Sequence, residues 1–173
     1  MGFSKYNKSY FEVINERYSC RKFTAEKIKT EEIQLILEAA RLAPTAVNFQ
    51  PQRIIVVENP TLLEKLNEAT KFIFDSKTVF VVCYDSEASW HRRYDDKDHG
   101  EIDATIVATH MMLAATAMDI GSCYVCSFKE DIVRSILGIP KNYGISCLLP
   151  MGYPKEEGTH NSRNDIEDFV VYK

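Results

Sequence analysis

Arg17-Tyr18-Ser19-Cys20-Arg21 and Pro44-Thr45-Ala46-Val47-Asn48-Phe49-Gln50-Pro51 put cationic and amide side chains where a hydrophobic core has no use for them. The first stretch follows an amphipathic segment, roughly Ser9 to Glu16, with Tyr10, Phe11, Val13 and Ile14 as its apolar face. In an extended chain after that helix, side chains alternate, so Arg17, Ser19 and Arg21 share one side while Tyr18 and Cys20 take the other. A small anion-binding surface results. A guanidinium offers paired, charge-assisted hydrogen bonds to phosphate oxygens, and the serine hydroxyl adds a neutral donor. Two arginines taken alone are more often a solvated charged turn. The rest of the chain shifts that balance.

With 173 residues the chain suits a single domain, residues 1–173, and 45% hydrophobic with 27% charged residues is ordinary for a globular protein. Disorder and fibrous folds are excluded. A net charge of −4, with basic residues spread along the chain, leaves no electrostatic footprint for nucleic acid or an anionic membrane. No apolar run approaches the roughly 18 residues needed to span a bilayer, and the start, Met1-Gly2-Phe3-Ser4-Lys5-Tyr6, lacks a signal peptide's apolar stretch. A cytoplasmic protein is expected. Five cysteines, Cys20, Cys83, Cys123, Cys126 and Cys147, fit free thiols in a reducing compartment better than a disulfide framework.

The coarse pattern alternates helices and strands. Thr30 reads as a helix N-cap, with Ile33, Ile36, Leu37 and Ala40 as the buried stripe of a helix ending before Pro44. Arg53 to Glu58 reads as a strand and Thr61 to Thr70 as a short helix. Thr78 to Tyr84, apolar on both faces, reads as a central strand of a covered sheet. From Ile102 to Asp119 the sequence is apolar nearly all round, which demands burial nearly all round. In a domain this small, that predicts a partner subunit over one face. Gly121 ends this helix. A strand from Ser122 to Phe128, a helix from Glu130 to Leu137 and a strand from Ser146 to Tyr153 follow. The tail, Ile166 to Lys173, reads as an apolar strand and a candidate arm for a sheet edge, here the partner's.

Four segments in this order resemble the flavin-dependent nitroreductase family over almost the whole chain. Arg17 to Phe23 resembles its Arg-x-Ser-x-Arg-x-Phe motif, and Ala43 to Pro51 its Ala-Pro-Ser-x-x-Asn-x-Gln-Pro segment. Asp103 to Ser122 resembles its long interface helix and glycine turn. Leu149-Pro150-Met151-Gly152-Tyr153-Pro154, with Glu156, Glu157 and Arg163 downstream, resembles its closing Gly-Tyr-Pro segment. The resemblance implies an α+β, nitroreductase-like fold. Its parts would be a central mixed or antiparallel sheet flanked by helices, in an intertwined homodimer with exchange of C-terminal arms.

It also implies FMN at the subunit interface. Arg17, Tyr18, Ser19, Arg21 and Arg163 would hold phosphate, ribityl chain and pyrimidine edge. Pro44, Thr45, Ala46, Asn48 and Gln50 would reach the flavin from the other subunit, and the backbone at Cys126 and Ser127 would meet the flavin N5. Chemistry would then reside at N5, with no side chain in a catalytic role. Ping-pong electron transfer would run from NAD(P)H, a transient donor, to a nitroaromatic, a quinone or a similar small-molecule electron acceptor. The alternative is a flavin-binding or redox-sensing protein of the same fold without dedicated turnover.

Several positions depart from the pattern. Thr45 keeps the hydroxyl of the usual serine, Gln52 replaces a common tryptophan, and Asn161 stands where a second basic residue often accompanies Arg163. Lys71 is a candidate for a lysine near the flavin pyrimidine. Cys123-Tyr124-Val125-Cys126 has dithiol spacing, but it follows a helix instead of opening one, and on a strand its sulfurs face opposite sides. No second pair supplies a zinc site. His91, Asp95, Asp96, Asp98 and His99 have irregular spacing and basic neighbours, which favours a solvated loop over a metal site. Dinucleotide fingerprint, phosphate-cradling glycine loop and Ser-His-Asp arrangement are all missing.

Overall fold

The computed structural model describes residues 6–173. The start, Met1 to Lys5, read above as lacking a signal-peptide stretch, lies outside the described residues. The fold is organised by β2 (Thr78–Asp85). Val79, Val81 and Cys83 point to one face of it and Phe80 and Val82 to the other, and none of the five is exposed. A strand apolar on both faces needs cover on both faces.

In the sheet, β2 pairs antiparallel with β1 (Gln52–Val57) on one side and β4 (Tyr143–Gly152) on the other. The far edge of β4 carries the short β3 (Gly121–Ser122), which gives the order β1-β2-β4-β3. Among the described residues all ladders are antiparallel, and a parallel element enters only as the isolated bridge Ser19–Ser122.

On one face of the sheet, α2 (Thr30–Leu42) and α4 (Gly100–Ala117) pack Ile36, Ala40, Val107 and Met111 against Phe80, Val82 and Leu149. The other face is covered by α3 (Pro60–Leu66) and α5 (Glu130–Leu137), where Leu66 and Val133 meet Val79, Val81 and Leu148. Helices over an antiparallel sheet make this an α+β fold, as the sequence predicts. Among the described residues, no helix is long and apolar enough to cross a membrane.

Local chemistry sets the helix ends. Ser9 caps α1 (Tyr10–Glu16): its Oγ accepts from the Glu12 N–H at 3.3 Å, and the Glu12 carboxylate accepts from the Ser9 N–H at 2.6 Å. The Asn59 side chain accepts from the N–H groups of Thr61 and Leu62 at the start of α3. That helix stops at Leu66, not Thr70, because the next residues tighten into three-residue turns, Glu68 to Lys65 and Ala69 to Leu66. Thr30 lies inside α2, and Lys29 is its cap, with its N–H donating to Glu32.

Two expected strands differ. Past β3, the run to Phe128 keeps only the bridge Val125–Leu148, because the chain turns away to α5, where Lys129 N–H donates to the Ala69 carbonyl. The tail forms a 3₁₀ turn, Ile166–Asp168, and no strand, since no ladder among the described residues reaches it. Phe169, Val171 and Tyr172 remain 69%, 79% and 90% exposed. The apolar face expected of α1 is likewise open: only Val13 is buried. One side of α4 also stays uncovered, with Ile102 exposed and Ile106, Met112 and Leu113 half-buried.

Candidate cofactor site

Where α1 ends, Arg17 to Lys22 runs extended beside β3, held by the Cys20 N–H donating to the Ser122 carbonyl at 2.9 Å. Cys20 points into the core and is 2% exposed, as alternation requires. The loop after β4 returns over this segment: Lys155 N–H donates to the Lys22 carbonyl, and the Tyr18 hydroxyl donates to the Glu156 carbonyl at 3.3 Å. Between the two segments lies a cavity of 220 Å³ lined by Arg17 to Lys22 and, from the loop, by Glu156 to Asn161 and Arg163.

Four cations, Arg17, Arg21, Lys22 and Arg163, face two carboxylates, Glu156 and Glu157, so the lining is cationic on balance. Among the described residues, neither Arg17, Arg21 nor Arg163 makes an ion pair, whereas Lys22 pairs with Glu156 at 2.9 Å. Arg163 donates only to the Asn161 carbonyl, at 3.3 Å. Among the described residues, three guanidinium groups of the lining thus lack a carboxylate partner, as Glu157 lacks a cation. The buried Ser122 hydroxyl, opposite Ser19 across the bridge, has no hydrogen-bond partner among the described residues. Ser122 does not line the cavity, so its hydroxyl calls for a water or a local partner and not for the cavity's ligand. Burial pushes the Cys123 thiol up, against the pull of Arg21 and Arg17, so the cations do not make it a ready thiolate.

Ligand pockets for drug-sized molecules run to about 300–1,000 Å³. At 220 Å³ this one has room for a phosphate and part of a polyol chain, and the remainder of a flavin would have to lie outside it. The donor set fits the anionic end of FMN. The sequence picks out Arg17, Tyr18, Ser19, Arg21 and Arg163 from the lining; it misses Gly158, Thr159 and His160. Gly158 gives way to the Tyr18 ring, which a Cβ there would approach to 2.2 Å, and His160 meets that ring edge-on. No periodic signal marks a loop of this kind.

The Pro44 to Pro51 stretch does not line the cavity. It forms a turn between α2 and β1, with Thr45 and Ala46 half-buried and Pro44, Asn48 and Gln50 exposed. Val47, Asn48 and Gln50 all have positive φ, at 52°, 58° and 54°. Inside the turn, Gln50 N–H donates to Thr45 Oγ1 at 3.1 Å and Gln50 Nε2 to the Asn48 carbonyl at 3.2 Å. From outside it, the Ala46 N–H donates to the buried Asp103 carboxylate at 2.9 Å. Asp103 is a residue the sequence reading did not single out; its one signal is an acid in the first turn of an otherwise apolar helix.

Cys126 and Ser127 also lie away from the cavity, exposed between the Val125 bridge and α5. Their N–H groups donate no hydrogen bond among the described residues, and the Ser127 carbonyl accepts from Thr70 Oγ1 at 2.7 Å. That bond brings the exposed Lys71 close to Ser127 along the chain. The Cys-x-x-Cys pair splits as alternation predicts, with Cys123 buried and Cys126 exposed. The segment from Trp90 to His99 folds back through the bridge His91–Asp98, and Asp98 accepts from Ser89 Oγ and from Gly100 N–H at the start of α4. Its acids serve local turns.

The chain matches the profile of the Nitroreductase family over residues 14–78 and 69–153. A relative from Archaeoglobus fulgidus, named for NADH dehydrogenase/NAD(P)H nitroreductase, is 33% identical over 152 residues, covering 84% of this chain and 85% of its own. A crystal structure of a nitroreductase family protein from Clostridium difficile superimposes with a TM-score of 0.92 at 34% identity, covering 96% of this chain and 99% of that one. A nitroreductase from Exiguobacterium sibiricum, solved in complex with FMN, gives 0.87 at 25% identity over 96% of this chain and 98% of that one. Family profile, sequence identity and superposition agree: the chain belongs to the nitroreductase family.

Proposed function

We propose that this chain is an NAD(P)H-dependent FMN oxidoreductase that passes electrons to small nitroaromatic, quinone or similar acceptors. The observation that carries the reading is the set of three guanidinium groups without an ion pair among the described residues, around a cavity with room for a phosphate and part of a polyol chain. Arg17, Ser19 and Arg163 would bind the phosphate and ribityl oxygens, with Arg21 beside them or at the pyrimidine edge. Tyr18 forms the wall behind them. Pro44 to Gln50 would close the site from a second subunit, with Thr45 and Ala46 shaping the turn and Asn48 and Gln50 supplying amides. The undonated N–H groups of Cys126 and Ser127 would face the ring.

Bound FMN supplies the hydride chemistry; the protein supplies position, access and positive charge. A second subunit is part of the proposal because the Pro44 to Pro51 turn, proposed to contact the flavin, does not line this chain's own cavity. The uncovered side of α4, the open face of α1 and the exposed tail give that subunit apolar surface to bury, and the tail is the segment to exchange. The unpaired thiols suit a reducing cytoplasm.

Purified protein should be yellow, with bands near roughly 370 and 450 nm, and heating should release FMN. Bleaching of those bands by NADH or NADPH, and their return on adding a quinone or nitroaromatic, completes the test. Protein that binds FMN but supports no steady-state nicotinamide oxidation is a flavin binder or sensor. A colourless dimer indifferent to added FMN overturns the proposal.

A further inference from the structure

Asp103 is 2% exposed on α4, among Ala104, Val107 and the rest of the apolar core. Burying a carboxylate is costly, and an apolar side chain of similar size at this site would fill the core at no such cost. Its Oδ1 accepts from the Ala46 N–H at 2.9 Å, and its Oδ2 is buried with no partner among the described residues. A place in the first helical turn favours an acid electrostatically. That benefit needs neither burial nor a bond to a distant loop.

The loop it holds is under strain. Val47 is β-branched yet sits at φ 52°, with Asn48 and Gln50 also left-handed. Such conformations cost on the order of 1–3 kcal/mol each and persist only where surrounding contacts over-determine them. Thr45 supplies two contacts from within, through its carbonyl to Asn48 N–H and its hydroxyl to Gln50 N–H. Asp103 ties the start of the turn to the rigid helix, while the Arg53 guanidinium reaches the Gln50 carbonyl, at 3.3 Å, from the far end. The strained turn carries Asn48 and Gln50, whose side chains stay exposed.

We infer that Asp103 is a positioning residue, whose buried carboxylate holds the 45–50 turn in its strained form so that Asn48 and Gln50 meet the flavin as a preformed pair. The inference rests on the FMN reading above. Preorganisation removes the ordering cost from the binding step, so loss of the anchor appears as weaker flavin binding.

Two variants separate the anchor from core packing. Asp103→Asn retains an acceptor for the Ala46 N–H, whereas Asp103→Leu keeps the approximate shape and removes it. In flavin-free protein, amide hydrogen exchange at Ala46 and Asn48 should rise at least tenfold in Asp103→Leu and stay within about threefold of wild type in Asp103→Asn. FMN titration by fluorescence should show Kd raised at least tenfold in Asp103→Leu, within threefold in Asp103→Asn, and a changed visible circular dichroism of bound flavin only in the former. Unchanged exchange and Kd in Asp103→Leu overturn the inference. If Asp103→Leu does not fold, Asp103→Glu, which moves the oxygens by one methylene, replaces it with the same two outcomes. Should wild type bind no FMN, the flavin reading fails, and the exchange data still decide whether Asp103 holds the turn.

Discussion

Gly121 and Cys20 touch beside the Ser19–Ser122 bridge so closely that a Cβ on Gly121 would lie 2.7 Å from the Cys20 Cβ and 2.8 Å from its sulfur. Cys20 is the inward-facing residue between Ser19 and Arg21, so any shift of it moves two proposed phosphate ligands. Gly121→Ala should cost about 1–3 kcal/mol in stability through overpacking and weaken FMN binding. Denaturant unfolding and a flavin titration check both. Wild-type values in the two measurements would remove the proposed link between this contact and the cavity.

The three cavity arginines should act through charge. Replacing Arg17, Arg21 or Arg163 by alanine removes a charge-assisted contact of about 1.5–3 kcal/mol, or roughly 10- to 100-fold in FMN affinity. Raising ionic strength should weaken binding further, since Arg21 and Arg163 are exposed and screened by salt. Riboflavin, which lacks the phosphate, should show smaller losses on replacing Arg17 or Arg163 and little salt dependence, and an equal loss on replacing Arg21 would put that residue at the pyrimidine edge. Equal losses for riboflavin and FMN would place the arginines elsewhere on the ligand.

Alkaline pH should destabilise the fold. Burial pushes the Cys83 and Cys147 thiols up to about 12 from an ordinary 9.0, and burial with the Glu32 carboxylate raises the Tyr153 hydroxyl to about 12 from 10.0. Tyr153 donates to Glu32 at 2.5 Å in the folded state. These groups stay protonated in the folded state while the unfolded chain begins to ionise at pH 9 to 10. The unfolded state then holds fewer protons, so stability is intact below about pH 9 and falls between pH 9 and 12. Melting temperature followed from pH 7 to 11 should decline across that window, and less steeply in Cys147→Ala. A flat profile would mean that the thiols ionise freely in the native protein.

Thiol labelling should distinguish one cysteine from four. Only Cys126 is exposed, so one equivalent should react fast in the native protein and all five after denaturation. Blocking Cys126 should leave flavin content unchanged, because its backbone N–H, not its sulfur, is proposed to face the ring. Loss of flavin on labelling would give the sulfur a role that the fold does not suggest.

The order of helices and strands was legible because each element carries its own signal. Two-sided apolar β2, the stripe of α2 and the largely apolar α4 are local patterns with local causes, whereas the cap read at Thr30 falls one residue earlier, at Lys29. Two readings failed where a neighbour was needed: residues 123–128 and the tail are apolar enough for strands, but a strand exists only where a ladder meets it. The Arg17 to Arg21 motif was legible in part: alternation sends Cys20 inward, but Tyr18, expected on the side of Cys20, lines the cavity with Arg17 and Ser19.

By itself, then, the sequence determined the segments, the family pattern and the cationic stretch that begins the anion site. Tertiary structure alone decided that Gly158 and His160 return over Tyr18 to close the cavity, that the 44–51 turn lies apart from it, and that Asp103 reaches Ala46. The physical reason is range. Periodicity and capping act within a few residues, whereas Asp103 and Ala46 are 57 positions apart and meet only because α4 and the turn after α2 share one face of the sheet.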